Sequence, residues 1–289
     1  MTPVFSLCRG FVVAIALFAA TIVQGAPGFE GPVGLQLYSL RAQFKKDVPG
    51  TLDGVKGWGV KYAEAYADLL PATKLSAAEL KSQLDARGIK LVSSHFSYEQ
   101  IRDHVEDVAR DAEAMGLKYA GIAWVPHKGA FDEKACRETA AVFNRAGETL
   151  AKHGIKFFYH VHGYEFQPYK DGTLLDLLMK ETNPKYVHYE MDVFWIVFPG
   201  QDPVKLLKKY GSRWELMHLK DMKKGTPTGS LTGGTDVNND VALGAGQIDM
   251  VSILHTAKKT GVKWYFIEDE SASSEQQIPE SLRWLEQMK

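Results

Sequence analysis

The stretch "GIKFFYHVHGYEF", Gly154–Phe166, starts with a glycine and a basic residue, runs through an aromatic and apolar segment, and breaks off into His160, His162 and Glu165. Its opening recurs along the chain. "GVK" stands at Gly59, "GIK" at Gly88, "GLK" at Gly116, "NPK" at Asn183, "GSR" at Gly211 and "GVK" at Gly261, and a short apolar run follows each. The pattern reads as a helix ending on a left-handed glycine or asparagine, a basic residue at the layer edge, then a buried parallel strand. Seven such junctions are too many for coincidence.

With an initial strand added, the candidate strands are Val33–Tyr38, Lys61–Glu64, Leu91–His95, Tyr119–Trp124, Lys156–His162, Tyr186–Asp192, Trp214–His218 and Trp264–Glu268. Between them lie segments with apolar residues at three-and-four spacing, such as "SAAELKSQLDARG", "YEQIRDHVEDVARDAEAMG", "CRETAAVFNRAGETLAKHG" and "IPESLRWLEQMK". Eight strands alternating with helices predict an α/β fold, a single (β/α)8 TIM barrel over residues 27–289. An open doubly wound sheet is the alternative, but "LQLYSLRAQF" after the first strand has no glycine-rich phosphate turn. The glycine-rich segment Lys223–Gln247 follows strand seven and is expected to be an active-site lid.

The 289 residues are 45% hydrophobic, enough for one large core. Net charge is -1, from 34 basic and 35 acidic residues without a long run of either sign, which excludes an extended nucleic-acid face. Residues 1–26 have the layout of a cleaved secretory signal: Arg9, an apolar run from Phe11 to Val23, then small residues. The protein is therefore expected to be exported to the periplasm, with no membrane attachment after cleavage. Cys8 leaves with the signal, and Cys136 alone can form no internal disulfide.

In a parallel barrel the chemistry gathers at the C-terminal ends of the strands. Strand two ends in Glu64 and strand three in His95, while strands five to eight end in pairs two residues apart: His160 with His162, Glu190 with Asp192, His218 with Lys220, and Glu268 with Glu270. Residues so spaced share a face, so imidazoles and carboxylates converge on the barrel mouth. Carboxylates brought that close call for a cation. One residue per strand selects Glu165, Asp192, His218 and Glu268 as ligands of a divalent metal ion, Mn, Co, Mg or Zn. His95, His160 and His162 are candidate proton-transfer groups and Lys220 a stabiliser of negative charge or proton donor. Tyr38, Trp124 and Trp195 are placed to stack on a sugar ring, with Glu64 as a further substrate contact.

The segments "GLQLYSLR", "HVHGYEF", "EMDVFWIVFPGQDPVKLLKKYG", "MHLKD", "LGAGQIDM" and "WYFIEDE", in this order, resemble the sugar isomerase/epimerase family with a xylose-isomerase-like barrel, which includes inosose dehydratases, ketose 3-epimerases and enzymes of 3-keto-glycosides. The resemblance implies Asp192, His218 and Glu268 as metal ligands. Many epimerases of the family carry a glutamate where this chain has Tyr159 and His160, and Glu165 matches a subgroup with the pattern "HNHxxEF". The resemblance also implies a small-molecule sugar or keto-glycoside as partner and a homodimer as assembly.

Such a site is expected to polarise a sugar ketone and hold the enediolate formed when a base removes the neighbouring proton. Reprotonation gives epimerisation or isomerisation; loss of a β-substituent gives dehydration or glycoside cleavage. Export points to a non-phosphorylated substrate, because sugar phosphates are kept in the cytoplasm. The competing readings are a non-catalytic carbohydrate-binding barrel and, on the same fold, a DNA-repair nuclease that the charge disfavours.

Overall fold

The computed structural model describes residue 1 and residues 29–288. The segment read as an export signal lies outside the described residues, apart from residue 1. Among the described residues no helix is long and apolar enough to cross a membrane.

Eight parallel strands close into a barrel: β1 (Val33–Gln36), β2 (Tyr62–Ala65), β3 (Lys90–His95), β4 (Tyr119–Ile122), β5 (Lys156–Val161), β6 (Val187–Asp192), β7 (Trp214–Leu219) and β8 (Trp264–Ile267). Each pairs with its neighbours in chain order, and β1 closes the ring against β8. The principal helices between them are α1 (Val48–Gly57), α2 (Ala77–Asp85), α3 (Val105–Met115), α4 (Glu133–Lys152), α5 (Leu174–Glu181), α6 (Pro203–Tyr210), α7 (Met250–Thr260) and α8 (Ser274–Gln287). This is the (β/α)8 architecture expected from the repeat.

The junction glycines behave as their position predicts: Gly116 and Gly154 both take φ +71, where an L side chain would be strained. Asn183 does not. Its helix ends earlier, with Thr182 extended at ψ 137, and the next proline, Pro184, disfavours helical backbone at Asn183. The expected helix over Tyr98–Met115 is split at His104, whose φ of -135 interrupts it. Strand β1 stops at Gln36 because the Gln36 side chain accepts from the Tyr38 N–H at 3.0 Å and starts a 3-10 turn.

Alternation sorts the strand residues into two layers. Val92, Tyr119, Phe158, Leu216 and Phe266 form a small cluster inside the barrel, with Tyr62 and Trp264 packed against it. The remaining apolar residues fill the layer between strands and helices. Glycine on β4 makes room for the interior: a Cβ at Gly121 would stand 2.6 Å from the Phe158 ring. Below this plug Glu215 accepts from Tyr119 Oη at 2.8 Å and from the ammonium groups of Lys156 and Lys263 at 2.8 and 2.7 Å. The opposite end is thereby left to the polar residues.

Candidate metal centre

Above Phe158 and Phe266 the inward positions turn polar. His160 on β5, Asp192 on β6, His218 on β7 and Glu268 just past β8 bring one ligand atom each into a single group, all within 4.8 Å of one another. His160 Nε2 lies 3.1 Å from His218 Nδ1 and 3.4 Å from Asp192 Oδ2, and His218 Nδ1 lies 3.3 Å from Glu268 Oε2 and 3.7 Å from Asp192 Oδ2.

These separations fit a shared cation. Ligand bonds of about 2.1 Å at tetrahedral angles place donor atoms about 3.4 Å apart. Asp192 Oδ2 is buried without a hydrogen-bond partner, which is costly for a carboxylate oxygen unless a cation meets it. The other oxygen, Oδ1, is fixed by the N–H of Trp195 at 3.0 Å. Burial disfavours charge on His218, but Glu190 and Glu268 outweigh it and raise its pKa well above the usual imidazole value. The same negative field attracts a divalent cation.

A second layer lies beneath. Glu64 Oε1 is 2.6 Å from His218 Nε2, and Glu190 Oε2 is 3.0 Å from His95 Nε2 and 3.3 Å from His218 Nε2. Glu64 is further held by Gln36 at 2.7 Å and Ser93 at 2.5 Å. Register shifts fall between Ala63 and Glu64 on β2 and between Tyr189 and Glu190 on β6. Such irregularities re-aim side chains, and here they sit at the two carboxylates that contact His218 from below.

Three expected positions are corrected. Glu165 does not reach the group of four: its carboxylate accepts from the Tyr159 hydroxyl and, at 3.1 Å, from the His162 N–H. Gly163 in the left-handed region and the 3-10 turn Tyr164–Phe166 fold it back into the layer behind β5, beside Tyr159. His160, expected as a proton-transfer group, stands at the strand-five corner instead. Glu64 is fully buried under His218 and does not line the cavity, so it has no access to a substrate.

A cavity of about 470 Å³ opens over the group, a size usual for small-molecule sites. Tyr38, Trp124, Trp195, His95, His160, His162, His218, Lys220 and Glu268 line it. The segment after β7 covers it with Gly233, Gly234, Thr235, Val237 and Asp240, which is the placement expected of a lid. The lid is clipped where Asp221–Met222 pairs antiparallel with Asp240–Val241.

Lys220 is buried at the edge of the metal group. Its ammonium contacts Glu270, lies 3.3 Å from Glu268 Oε2 and 3.5 Å from Asp240 Oδ2. Burial alone would lower its pKa, yet the three carboxylates raise it well above the usual lysine value. Glu270 comes from the strand-eight pair Glu268 and Glu270, whereas Asp240 lies in the segment after β7 and carries no such same-face signal in the sequence. His162 stacks on Trp195 with ring centroids 4.7 Å apart, and burial, then the neighbouring His160, lower its pKa to about 3. His162 Nδ1 and Trp195 Nε1 are buried without partners.

Residues 52–288 match the family described as xylose isomerase-like TIM barrel. The chain belongs to that family. Among curated proteins, an inosose dehydratase of Clostridium botulinum is 28% identical over 165 residues, which cover 50% of this chain and 54% of that protein. An inosose dehydratase of Clostridium tetani is 33% identical over 98 residues, 34% of this chain and 32% of that protein. The chain spans about half the length, or less, of these curated relatives. A sugar phosphate isomerase/epimerase from Parabacteroides distasonis superposes with a TM-score of 0.72 at 24% identity, covering 87% of this chain and 96% of that one. The IolI protein, solved with a bound zinc atom, superposes with a TM-score of 0.68 at 16% identity, covering 88% and 94%. These two share the fold of this xylose isomerase-like barrel.

Proposed function

We propose that the protein is a divalent-metal-dependent enzyme that enolises a non-phosphorylated keto-sugar and then expels a substituent β to the ketone. The observation that carries this reading is Lys220, a buried ammonium held charged by Glu268, Glu270 and Asp240 beside the metal group. An ammonium so placed is a proton donor for a leaving oxygen.

His160, Asp192, His218 and Glu268 would hold the ion. Two imidazoles with two carboxylates suit zinc, manganese or cobalt better than magnesium. Bound there, the cation supplies Lewis-acid polarisation of a ketone oxygen, which acidifies the adjacent C–H. His162 is the group for the proton. His95 is engaged with Glu190 and His160 turns Nε2 to the metal group, while His162 lines the cavity with Nδ1 unpartnered. The C–H electrons form the new double bond, the C–O bond to the leaving group breaks, and Lys220 protonates the departing oxygen. An unsaturated ketone and an alcohol, or water, result.

The cavity wall supports an uncharged substrate. Asp68, Glu99, Asp240, Glu268 and Glu270 line it, and its one lysine is already engaged, so a phosphate dianion would meet net negative charge. The inosose dehydratase relatives favour elimination over epimerisation. The test is to incubate metal-loaded protein with methyl 3-keto-glucoside in deuterated water and follow products by mass spectrometry. Released methanol with an unsaturated ketone is expected, and Lys220→Met should slow release by at least about a hundredfold. Deuterium uptake with the glycoside intact would instead mark an epimerase or isomerase; neither outcome, with metal bound, would mark a carbohydrate-binding barrel.

A further inference from the structure

We infer that the cavity holds a second subsite, built on Trp124 with the lid segment around Gly233 against it, that takes the outer pyranose ring of a disaccharide. This rests on the sugar reading above and narrows its substrate from a simple sugar to a glycoside of another sugar.

Apart from Met1, Trp124 and Val237 are the large hydrophobic residues left exposed among the described residues, at 42% and 38%, and both line the cavity. Both of these exposed side chains therefore belong to the cavity wall and not to the outer surface elsewhere. One face of Trp124 is occupied: His127 stacks on it with centroids 5.4 Å apart and planes at 24°. Tyr164 and His162 meet the indole nearly perpendicular, at 72° and 86°. The indole is therefore fixed in orientation while part of its surface stays open. A rigid aromatic face of this kind packs against the C–H face of a pyranose.

Trp124 meets the ring of His162, and His162 in turn meets the ring of His160 in the metal group. The centroid of His160 lies 5.2 Å from that of His162, and His162 lies 5.2 Å from Trp124. A sugar whose ketone sits over His160 occupies the level of His162 and Trp195. Trp124, which touches His162 on the side of the exposed rim, is then left to a ring attached to that sugar. Eight strands about 4.8 Å apart with a tilt near 36° give a mouth about 15 Å across, and one pyranose with its hydroxyls, built from bonds of about 1.5 Å, spans roughly half of that. Glu99 and Asp68, exposed at the outer part of the cavity lining, offer carboxylates to the hydroxyls of the second ring.

The lid completes the subsite. Val237 comes from it, and Gly233 (φ +69) approaches so closely that a Cβ would stand 3.0 Å from the Trp124 ring. The outer ring thus enters between a fixed indole and a lid seated against its edge.

The experiment compares kcat/KM of the metal-loaded enzyme for 3-keto-glucobioses, α- and β-linked, with that for methyl 3-keto-glucoside, in the wild type and in Trp124→Ala and Trp124→Phe. At least one glucobiose should be preferred by roughly tenfold or more, the ratio should collapse towards one in Trp124→Ala, and Trp124→Phe should restore much of it. Saturation-transfer NMR on the same glucobiose with metal-free protein should show the strongest transfer to the outer ring, lost in Trp124→Ala. Equal use of both substrate types, or a preference that survives Trp124→Ala, overturns the subsite and leaves the sugar reading standing. Turnover of neither substrate overturns the sugar reading itself and the subsite with it.

Discussion

Glu64 Oε1 lies 2.6 Å from His218 Nε2, so the opposite ring nitrogen, Nδ1, faces Asp192 and Glu268. A carboxylate behind a metal-facing histidine fixes its tautomer and raises its basicity. Glu64→Gln keeps the shape and removes the charge. Metal affinity, measured by competition with a chelating dye, should fall about 10- to 100-fold with little change in thermal stability. Ser93→Ala removes one contact to Glu64 and should have a smaller effect; equal losses would mean that Glu64 acts only as packing.

Glu215 at the closed end should make folding sensitive to acid. Burial opposes its charge, but Lys156 and Lys263 lower its pKa from 4.5 to about 2. A depressed carboxylate pKa adds stability that is complete above the unfolded value and disappears as pH falls through the folded one. The contribution, up to about 3 kcal/mol, should fade between about pH 4.5 and pH 2. Denaturant melts of wild type and Glu215→Gln should diverge at pH 6 and converge towards pH 2.

Phe158 fills the barrel directly below His160. Phe158→Ala should cost about 3 to 5 kcal/mol and loosen the metal group above it. Gly121→Ala should also destabilise, because its new methyl group meets Phe158 and the Phe158 carbonyl. Urea melts with metal titrations check both.

Most of this barrel was legible in the chain because one physical device repeats. Glycines such as Gly116 and Gly154 end helices, and the apolar run behind each is a strand buried on both sides. The same-face rule also foresaw the convergence of Asp192, His218 and Glu268. What escaped it depends on the third dimension. Glu165 lies three residues beyond His162, and only the turn at Gly163 decides that its carboxylate folds back to Tyr159. Glu64 and Glu190 are placed by register irregularities that periodicity does not display. Asp240 reaches Lys220 from a loop 20 residues further along the chain, and such contacts leave no local signal.

His160 and Glu165 are the two residues from the strand-five region that could complete the metal group. Metal stoichiometry by plasma mass spectrometry, after zinc loading and dialysis, should be near one for the wild type and for Glu165→Gln and should fall well below it for His160→Ala, Asp192→Ala and His218→Ala, each shown to be folded. A full complement of metal in folded His160→Ala, together with its loss in folded Glu165→Gln, would contradict the centre described here.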